Sequence, residues 1–310
     1  MEITTPSLTI THRSSVTEDQ IDHLGHMNVR FYGVNAHAAT QRLLTSLGVP
    51  AAGRRVVDVY TRHHREQLLG AELSVRSGVL EVLADGVRIY HELTNDETGA
   101  LAATFVHRVR LDDPGAVVAL AAAVDGETIE IPTAGRPRSI PLDTDPVASA
   151  PGLDQLRAQD LAIRRVRAIT AEECDEHGDY LPTMAALLVW AGEPAHQRFP
   201  EMLHEGTDGE RMGWASMETR IVMARLPRVG DRIQSFSAVV AVGDKVMQNI
   251  MWSYDVDRAE LLTTFEIVNL AFNVEARRPM VIPDAIRQSE GLILHPELAP
   301  TRAARTDDEG

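Results

Sequence analysis

The residues best suited to chemistry cluster in one short segment, residues 22–32, which reads DHLGHMNVRFY. Asp22 supplies a carboxylate, which can attack an electrophilic carbon or activate water as a general base. His26 and Asn28 add hydrogen-bonding groups, and Gly25 permits a tight turn. A helix predicted to begin directly after this turn would present unpaired N–H groups and its positive dipole end to an oxyanion. The segment therefore predicts an attacking oxygen beside oxyanion donors.

Each of these residues also has a structural interpretation. Asp22 could cap the helix or the turn before it, a role that is compatible with catalysis. For His26, the interpretations as a base, a substrate ligand and a turn residue stand about equal. Asn28 is interpreted chiefly as an organiser of the turn, although it is kept with Asp22 and His26 as a candidate catalytic residue. Tyr32 lies on the apolar stripe of the helix, which predicts a core position.

Other chemistries find little support. His23 and the adjacent His63 and His64 lack a third ligand at a useful spacing, so we expect no metal site. No cofactor-binding fingerprint or nucleophile elbow occurs, and a formal net charge of −15 argues against a nucleic-acid partner. No apolar run is long enough to span a bilayer. A single cysteine, Cys174, and an N-terminus without a signal-peptide pattern predict a cytoplasmic protein.

The elements that must position the segment follow an α+β order. Residues spaced three and four apart predict one long helix before Gly48 and Pro50, with an apolar face formed by Val29, Tyr32, Ala36, Ala39, Leu43 and Leu47. Four alternating, β-branched runs begin near residues 56, 72, 87 and 100, with a hairpin turn at residues 95–99. This order predicts an antiparallel sheet that wraps one helix.

The same order recurs in the second half of the chain. Residues 16–27 align with residues 169–180 at an offset of 153, because 169 − 16 = 153. Residues 69–77 align with residues 229–237 at an offset of 160, because 229 − 69 = 160. A helix is predicted from residue 181, followed by four more strands. These constant offsets predict two tandem domains at residues 1–112 and 160–285, with a linker at 113–159 and a tail at 286–310.

The first-half segment resembles the D-x-x-G-H-x-N-N-x-x-Y signature of hotdog acyl-CoA and acyl-carrier-protein thioesterases, with matches at Asp22, Gly25, His26, Asn28 and Tyr32. Val29 departs from it where a second asparagine is usual. The repeat resembles the fused double hotdog of plant-type acyl-carrier-protein thioesterases, which place their better-matched motif in the other half. The resemblance implies two hotdog domains paired edge to edge as a pseudo-dimer, with a homo-oligomer of pseudo-dimers as a further possibility.

The resemblance also implies hydrolysis of an acyl-CoA or acyl-carrier-protein thioester to a carboxylate and a free thiol. Asp22 would face the thioester carbon as nucleophile or general base, and the thioester carbonyl would lie against backbone N–H groups near Gly25, Asn28 and Val29. A non-catalytic acyl-thioester binder or sensor is the main alternative. A hotdog enoyl-thioester hydratase is a weaker one, because its G-D-x-N-P-x-H pattern does not occur.

In the second half, Asp179 and Leu181 replace the motif histidine and asparagine. Because Asp179 adds a negative charge beside Asp175, it would repel an anionic thioester and oppose an oxyanion. We therefore expect the second half to be structural, with an altered second site as the minority alternative.

Arginines are the expected partners for the phosphates of coenzyme A, because the guanidinium fork matches phosphate oxygens. Arg62 and Arg65 follow the second strand of the first half, and Arg108 and Arg110 alternate on its last strand. Solvated charge at a sheet edge is an equally good interpretation of each arginine taken singly. The acyl group is expected in an apolar pocket between the two helices.

Overall fold

The computed structural model describes residues 7–22, 25–174, 178, 180–181, 203–205, 211–289 and 292–301. The chain divides into two compact units, Met1–Pro137 and Arg138–Gly310, each of which is described by itself. The helix predicted from residue 181 lies outside the described residues beyond its first position. No helix among the described residues has both the length and the apolar character needed to cross a membrane.

The first unit is an antiparallel sheet packed on one long helix, as the sequence predicts. The helix α1 spans Val29–Ser46. The strands are β1 (Thr9–Ser15), β2 (Arg54–His63), β3 (Glu72–Leu83), β4 (Gly86–Asn95) and β5 (Leu101–Leu111). They are ordered β1-β3-β4-β5-β2, with antiparallel neighbours. The helix packs against β1, β3, β4 and β5, so its apolar face and the sheet form one core.

The apolar face of α1 begins one turn later than the sequence spacing suggests. Tyr32, Ala36 and Ala39 are buried against the sheet, whereas Val29 is half exposed at the first position of the helix. Burial of the Tyr32 side chain, the largest of the three, stabilises the unit by about 1.5–3 kcal/mol. The exposed start of α1 is consequently available to a ligand, while the rest of the helix is fixed in the core.

Much of the predicted linker packs onto the first unit. The helix α2 (Pro114–Val124) contacts β3 and β5, and the following residues pack on the face of the sheet opposite α1. There, a Cβ added to Gly78 would meet the Ile129 side chain at 2.7 Å, and one added to Gly135 would meet the Tyr90 ring at 2.3 Å. Only glycine allows these close approaches, so residues 114–137 form part of the first unit.

The second unit repeats the antiparallel meander. Among its described residues, the helices are α3 (Leu153–Arg157) and α4 (Asp284–Arg287). Its strands are β6 (Ala162–Ile163), β7 (Arg167–Ala168), β8 (Leu203–Glu205), β9 (Arg211–Met223), β10 (Arg232–Val242), β11 (Val246–Asp255), β12 (Glu260–Asn273) and β13 (Arg278–Pro279). The main order is β9-β12-β11-β10-β6, with β7 on β10, β8 on β9 and β13 on β12. The four long strands β9–β12 correspond to the four predicted runs.

Candidate active site

A tight turn places Asp22 opposite His26 at the entrance to α1. The Asp22 N–H donates to the His26 carbonyl at 2.9 Å, and the Gly25 N–H donates to the Asp22 carbonyl at 3.0 Å. Gly25 has a φ of +83°, a left-handed conformation that residues with side chains rarely adopt. The motif glycine therefore lets the chain return from Asp22 to His26 within four residues.

The His26 ring lies between two carboxylates. Its Nδ1 is 3.3 Å from Asp22 Oδ2, and its Nε2 is 3.4 Å from Glu66 Oε1. The side chains of His26 and Asp22 are mostly buried, at 14% and 17% exposure, whereas that of Glu66 is 44% exposed. An imidazole donates at both nitrogens when it is protonated and at one when it is neutral. The ring can thus take up or release a proton while it stays between the same two carboxylates.

Backbone hydrogen bonds fix the loop that carries Glu66. The Arg65 N–H donates to the Ala102 carbonyl at 3.1 Å, which ties the loop to the start of β5. The Met27 N–H donates to the Gln67 carbonyl at 2.8 Å, which ties it to the turn before α1. These bonds join residues far apart in the sequence, so the sheet and the helix entrance together decide where Glu66 stands.

Tyr32 closes the inner side of this arrangement. Its hydroxyl donates to the Arg65 carbonyl at 3.1 Å, and its ring meets that of His63 edge to face at 5.3 Å between centroids. Burial raises the pKa of Tyr32 to about 12, the Asp22 charge adds to the rise, and a hydrogen bond with the Gln67 backbone partly opposes it. Tyr32 therefore remains a neutral phenol that packs and donates, as its place on the apolar stripe suggests.

The backbone donors at the helix entrance are not equally available. The Asn28 side chain caps α1 by accepting from the Arg30 N–H at 3.0 Å, and the Asn28 N–H donates to the Gln20 carbonyl at 2.9 Å. The Gly25 N–H is already bonded within the turn. No group among the described residues accepts from the N–H of Val29, the first residue of α1. Of the three predicted oxyanion donors, we therefore retain only the Val29 N–H as a candidate.

The Arg62 side chain forms its hydrogen bonds within the protein. It is buried on the face of the sheet opposite α1, where its guanidinium donates to the carbonyls of Ala134 at 2.6 Å and Arg136 at 2.8 Å. The strand alternation that turns this side chain away from the helix also turns it away from the candidate site. The prediction that Arg62 binds a phosphate of the substrate is therefore not retained.

The other three predicted arginines do not lie together. Arg108 and Arg110 both approach Asp85, at 2.8 Å and 3.5 Å. Arg108 is five residues along β5 from Ala103, which pairs with the last residue of β2, so the distance along the strand is about 16 Å. Arg65 is exposed in the loop that carries the second carboxylate. It is the one predicted phosphate partner that the fold brings to the site.

Two further sequence expectations concern a metal and the second half. In the described part of the chain, no group of three or more His, Cys, Asp or Glu residues is placed to hold a metal ion. Asp175 and Asp179 lie outside the described residues, so the expected contrast between the two halves at these positions stays a prediction.

The sequence interpretation missed Glu66 and Gln67. Gln67 is buried, and its Oε1 accepts from the Asn95 amide at 2.9 Å, which holds the loop beside the turn. The available signal was their position directly after the second strand, at the end of the sheet that reaches the helix entrance. That signal becomes specific only when the strand order is known.

Comparison with known families agrees with this geometry. Residues 16–119 match the model of the Thioesterase-like superfamily. We refer to the first unit, which is similar to this superfamily over these residues, as the thioesterase-like domain. The match spans the turn, α1, the four strands β2–β5 and the first half of α2, so it contains every group of the candidate site. The resemblance to hotdog thioesterases that the motif suggested is confirmed at the level of this superfamily.

Solved structures match across both units. An oleoyl thioesterase from Lactobacillus plantarum aligns with a TM-score of 0.60 at 11% identity, covering 87% of this chain and 98% of that chain. A 12:0-ACP thioesterase from Umbellularia californica gives 0.61 at 9% identity, with 86% and 94% covered. An acyl-ACP thioesterase from Bacteroides thetaiotaomicron gives 0.58 at 9% identity, with 84% and 97% covered. No curated protein matches the chain. Since these likenesses extend beyond the thioesterase-like domain, the predicted fold of two tandem hotdog domains is confirmed.

Proposed function

We propose that the thioesterase-like domain hydrolyses acyl thioesters of coenzyme A or of an acyl carrier protein to a carboxylate and a free thiol. The observation that carries the proposal is the line of Asp22, His26 and Glu66 beside the exposed start of α1. The superfamily match of residues 16–119 supports the reaction class. The similar folds of two acyl-ACP thioesterases make a carrier-protein substrate worth testing beside coenzyme A.

Asp22 supplies the attacking oxygen in either of two routes. As a general base, it takes a proton from water while the water oxygen bonds to the thioester carbon. As a nucleophile, its own oxygen bonds to that carbon, and water then hydrolyses the resulting anhydride. In both routes the C–S bond breaks and the sulfur leaves as a thiol once protonated. His26 stands where it can orient Asp22 and deliver that proton, with Glu66 as its second partner.

The carbonyl oxygen of the substrate gains negative charge in both routes. The Val29 N–H and the positive end of the α1 dipole are the stabilising groups that we propose for it. Arg65 is the proposed partner for a phosphate of the carrier, because it is exposed in the adjoining loop. The edge-to-edge pairing of the two units, an acyl pocket between their helices, a homo-oligomer and a cytoplasmic location remain proposals of the same kind.

The deciding experiment measures thiol release from a panel of acyl-CoA thioesters and from acyl carrier protein thioesters. The wild-type protein is expected to release thiol from at least one of them, and Asp22→Asn should not do so at a comparable rate. Tight binding of acyl thioesters without thiol release would favour the alternative of a non-catalytic binder. Equal thiol release by a folded Asp22→Asn variant would remove Asp22 from the mechanism.

A further inference from the structure

The loop that carries Arg65 has the same backbone bonds in both units. At the offset of 160, Arg65 corresponds to Arg225. The Arg65 N–H donates to the Ala102 carbonyl at 3.1 Å. In the second unit, the Arg225 N–H donates at 3.3 Å to the carbonyl of Leu262, which is the counterpart of Ala102. The two arginines therefore leave the chain at equivalent places, so a difference between their guanidinium groups comes from the side chains around them.

Three carboxylates surround the arginine of the second unit. The terminal nitrogens of Arg225 lie 2.9 Å from Asp231 and 2.8 Å from Asp255. Its Nε lies 2.7 Å from Glu260. The side chains of Asp231 and Asp255 are 8% and 0% exposed, and that of Arg225 is 26% exposed. The charge of Arg225 is therefore neutralised within the second unit.

The first unit keeps the arginine and lacks all three carboxylates. The counterparts of Asp231, Asp255 and Glu260 are Ala71, Asn95 and Ala100. The Arg65 side chain is exposed, and no carboxylate among the described residues forms an ion pair with it. An arginine that only stabilised the fold through ion pairs would need these partners. The retained arginine of the first unit therefore serves a partner outside the unit.

Asn95 takes the place of the buried Asp255 without its charge. Its Oδ1 accepts from two backbone N–H groups of the following turn, as the Oδ1 of Asp255 does. Its Nδ2 donates to Gln67 Oε1 at 2.9 Å, whereas Asp255 presents an oxygen to Arg225 at this point. An amide N–H cannot bind a guanidinium, which is a donor at every nitrogen. Asn95 thus preserves the turn and removes the attraction that would draw Arg65 inwards.

The exposed guanidinium belongs to a residue that adjoins the candidate active site. Arg65 directly precedes Glu66, whose carboxylate lies 3.4 Å from His26 Nε2. The Arg65 carbonyl accepts from the Tyr32 hydroxyl at 3.1 Å, which fixes the backbone of this residue to α1. The two proposed carriers share one anion, the phosphate on the pantetheine arm. A guanidinium binds a phosphate through two parallel N–H bonds, so this anion suits Arg65.

Resting on the proposed function, we propose that Asn95, Ala71 and Ala100 are positioning residues that keep Arg65 available to the phosphate of the carrier. They act on the carrier through Arg65, because their neutral side chains give its guanidinium no internal partner. Carboxylates at these positions would draw the guanidinium into ion pairs like those of the second unit. Binding of the carrier would then weaken, while the groups that act on the thioester would stay in place.

The central variant is the double substitution Asn95→Asp, Ala100→Glu, which restores two of the three carboxylates. Ala100→Gln is the matched control, because it adds the same bulk without either charge. Each protein is assayed with an acyl-CoA and with the same acyl group on N-acetylcysteamine, a thiol that has no phosphate. The double variant should lower kcat/KM for the acyl-CoA about tenfold or more through KM, since a hydrogen bond between charged groups is lost. An equal loss with both thioesters, or no loss with the acyl-CoA, would overturn the proposal.

A background without the arginine separates recruitment of Arg65 from simple repulsion, because the introduced carboxylates also repel an anionic carrier. In an Arg65→Gln background, the double substitution at Asn95 and Ala100 should raise KM for the acyl-CoA no further. An equal rise in both backgrounds would show direct repulsion and contradict the positioning role. Urea unfolding gives a second reading, since Arg65→Gln should lower the unfolding midpoint in the double variant but not in the wild-type protein.

A binding measurement separates this proposal from the proposed function. Calorimetry compares coenzyme A with pantetheine, which lacks its phosphates, and needs neither turnover nor a variant. The wild-type protein should bind coenzyme A about tenfold or more tightly than pantetheine, and the double variant should lose this advantage. That result with no thiol release from any thioester would reject the hydrolase and retain the phosphate site. Thiol release with no difference between coenzyme A and pantetheine would retain the hydrolase and reject the phosphate site.

Discussion

The entrance to α1 in the first unit and its counterpart in the second share a backbone frame but differ in their side chains. Three hydrogen bonds coincide at the two offsets of the repeat: Met27 to Gln67 with Tyr180 to Pro227, Asn28 to Gln20 with Leu181 to Glu173, and Gly70 to Val16 with Gly230 to Ile169. Each pair agrees within 0.1 Å in length, at 2.8 and 2.9 Å, 2.9 and 3.0 Å, and 2.9 and 3.0 Å. The architecture therefore preserves the frame in both units.

The side chains that this frame carries have diverged. At the position of Glu66, the second unit carries Leu226, which has no carboxylate to offer. The arginine before it, Arg225, donates to Asp231 at 2.9 Å and to Asp255 at 2.8 Å. The equivalent arginine of the first unit is exposed. The loop of the first unit thus exposes its charged side chains, whereas the arginine of the second loop is held in internal ion pairs.

A single substitution between the units accounts for part of this difference. Asn95 and Asp255 occupy equivalent positions, and the Oδ1 of each accepts two backbone N–H groups of the following turn. The Nδ2 of Asn95 donates to Gln67 Oε1, whereas the Oδ2 of Asp255 accepts from Arg225. A neutral amide supports the loop of the first unit without drawing an arginine inwards. One substitution thus changes the hydrogen-bond partners of the same loop in the two units.

The largest expected effect tests which copy carries the reaction. Asp22→Asn should lower turnover about a hundredfold or more, because it removes the charge of the base or nucleophile but keeps the size of the side chain. Asp175→Asn should cost little activity, or raise it by relieving repulsion beside Asp179. Turnover of both variants is measured on the best substrate, with the melting temperature as a control for folding. Loss of activity only in Asp175→Asn would place the reaction in the other copy.

The internal ion pairs of the second unit should matter for stability rather than turnover. Asp255 is fully buried and pairs with Arg225 and Arg258, so Asp255→Asn should lower the free energy of unfolding by about 3–5 kcal/mol. Asp257→Asn breaks the exposed pair with Arg232 and should cost less than about 1 kcal/mol. Urea unfolding measures both values. If Asp255→Asn instead abolished turnover in folded protein, the proposed division of roles between the units would be wrong.

Acid should destabilise the first unit more than the second. Burial lowers the pKa of His91 to about 3 and that of His107 well below 6.5. In acid, the unfolded chain therefore binds two protons that the folded unit does not bind. Stability should therefore fall as the pH decreases below about 6.5, by about 2.5 kcal/mol per pH unit near pH 5.5. The double variant His91→Met, His107→Ile takes the residues of the second unit and should lose this part of the slope. An unchanged slope in urea unfolding would show that other groups cause it.

The smallest expected effect concerns the carboxylate that the second unit lacks. Glu66→Gln should lower kcat about tenfold, because His26 loses one of the two carboxylates that hold it, while KM changes less. Glu66→Leu, which copies the second unit, should lower kcat at least as far, and Glu66→Asp should recover part of the loss. Steady-state kinetics across a pH range gives the comparison. A uniform rise in KM with unchanged kcat would instead assign Glu66 to substrate binding.

Local patterns in the sequence determined the elements and one part of the site. The spacing of apolar residues is a property of the helix itself, so it predicted α1, and the alternating runs predicted β2–β5 in the same way. The turn from Asp22 to His26 also follows from the sequence, because its hydrogen bonds and the left-handed Gly25 involve neighbours in the chain. Constant offsets revealed the repeat, because insertions in a shared fold leave the spacing within each segment intact.

Tertiary structure decided which distant residues meet. His26 and Glu66 are 40 positions apart (66 − 26 = 40) and come together only because β2 ends beside the start of α1. Alternation along β2 and β5 could not tell which face a given arginine takes, and the packing of residues 114–137 settled that Arg62 is buried. Likewise, nothing local distinguishes His107 from a surface histidine. Its place follows from strand order, and strand order depends on the pairing energy of the whole sheet rather than on any short segment.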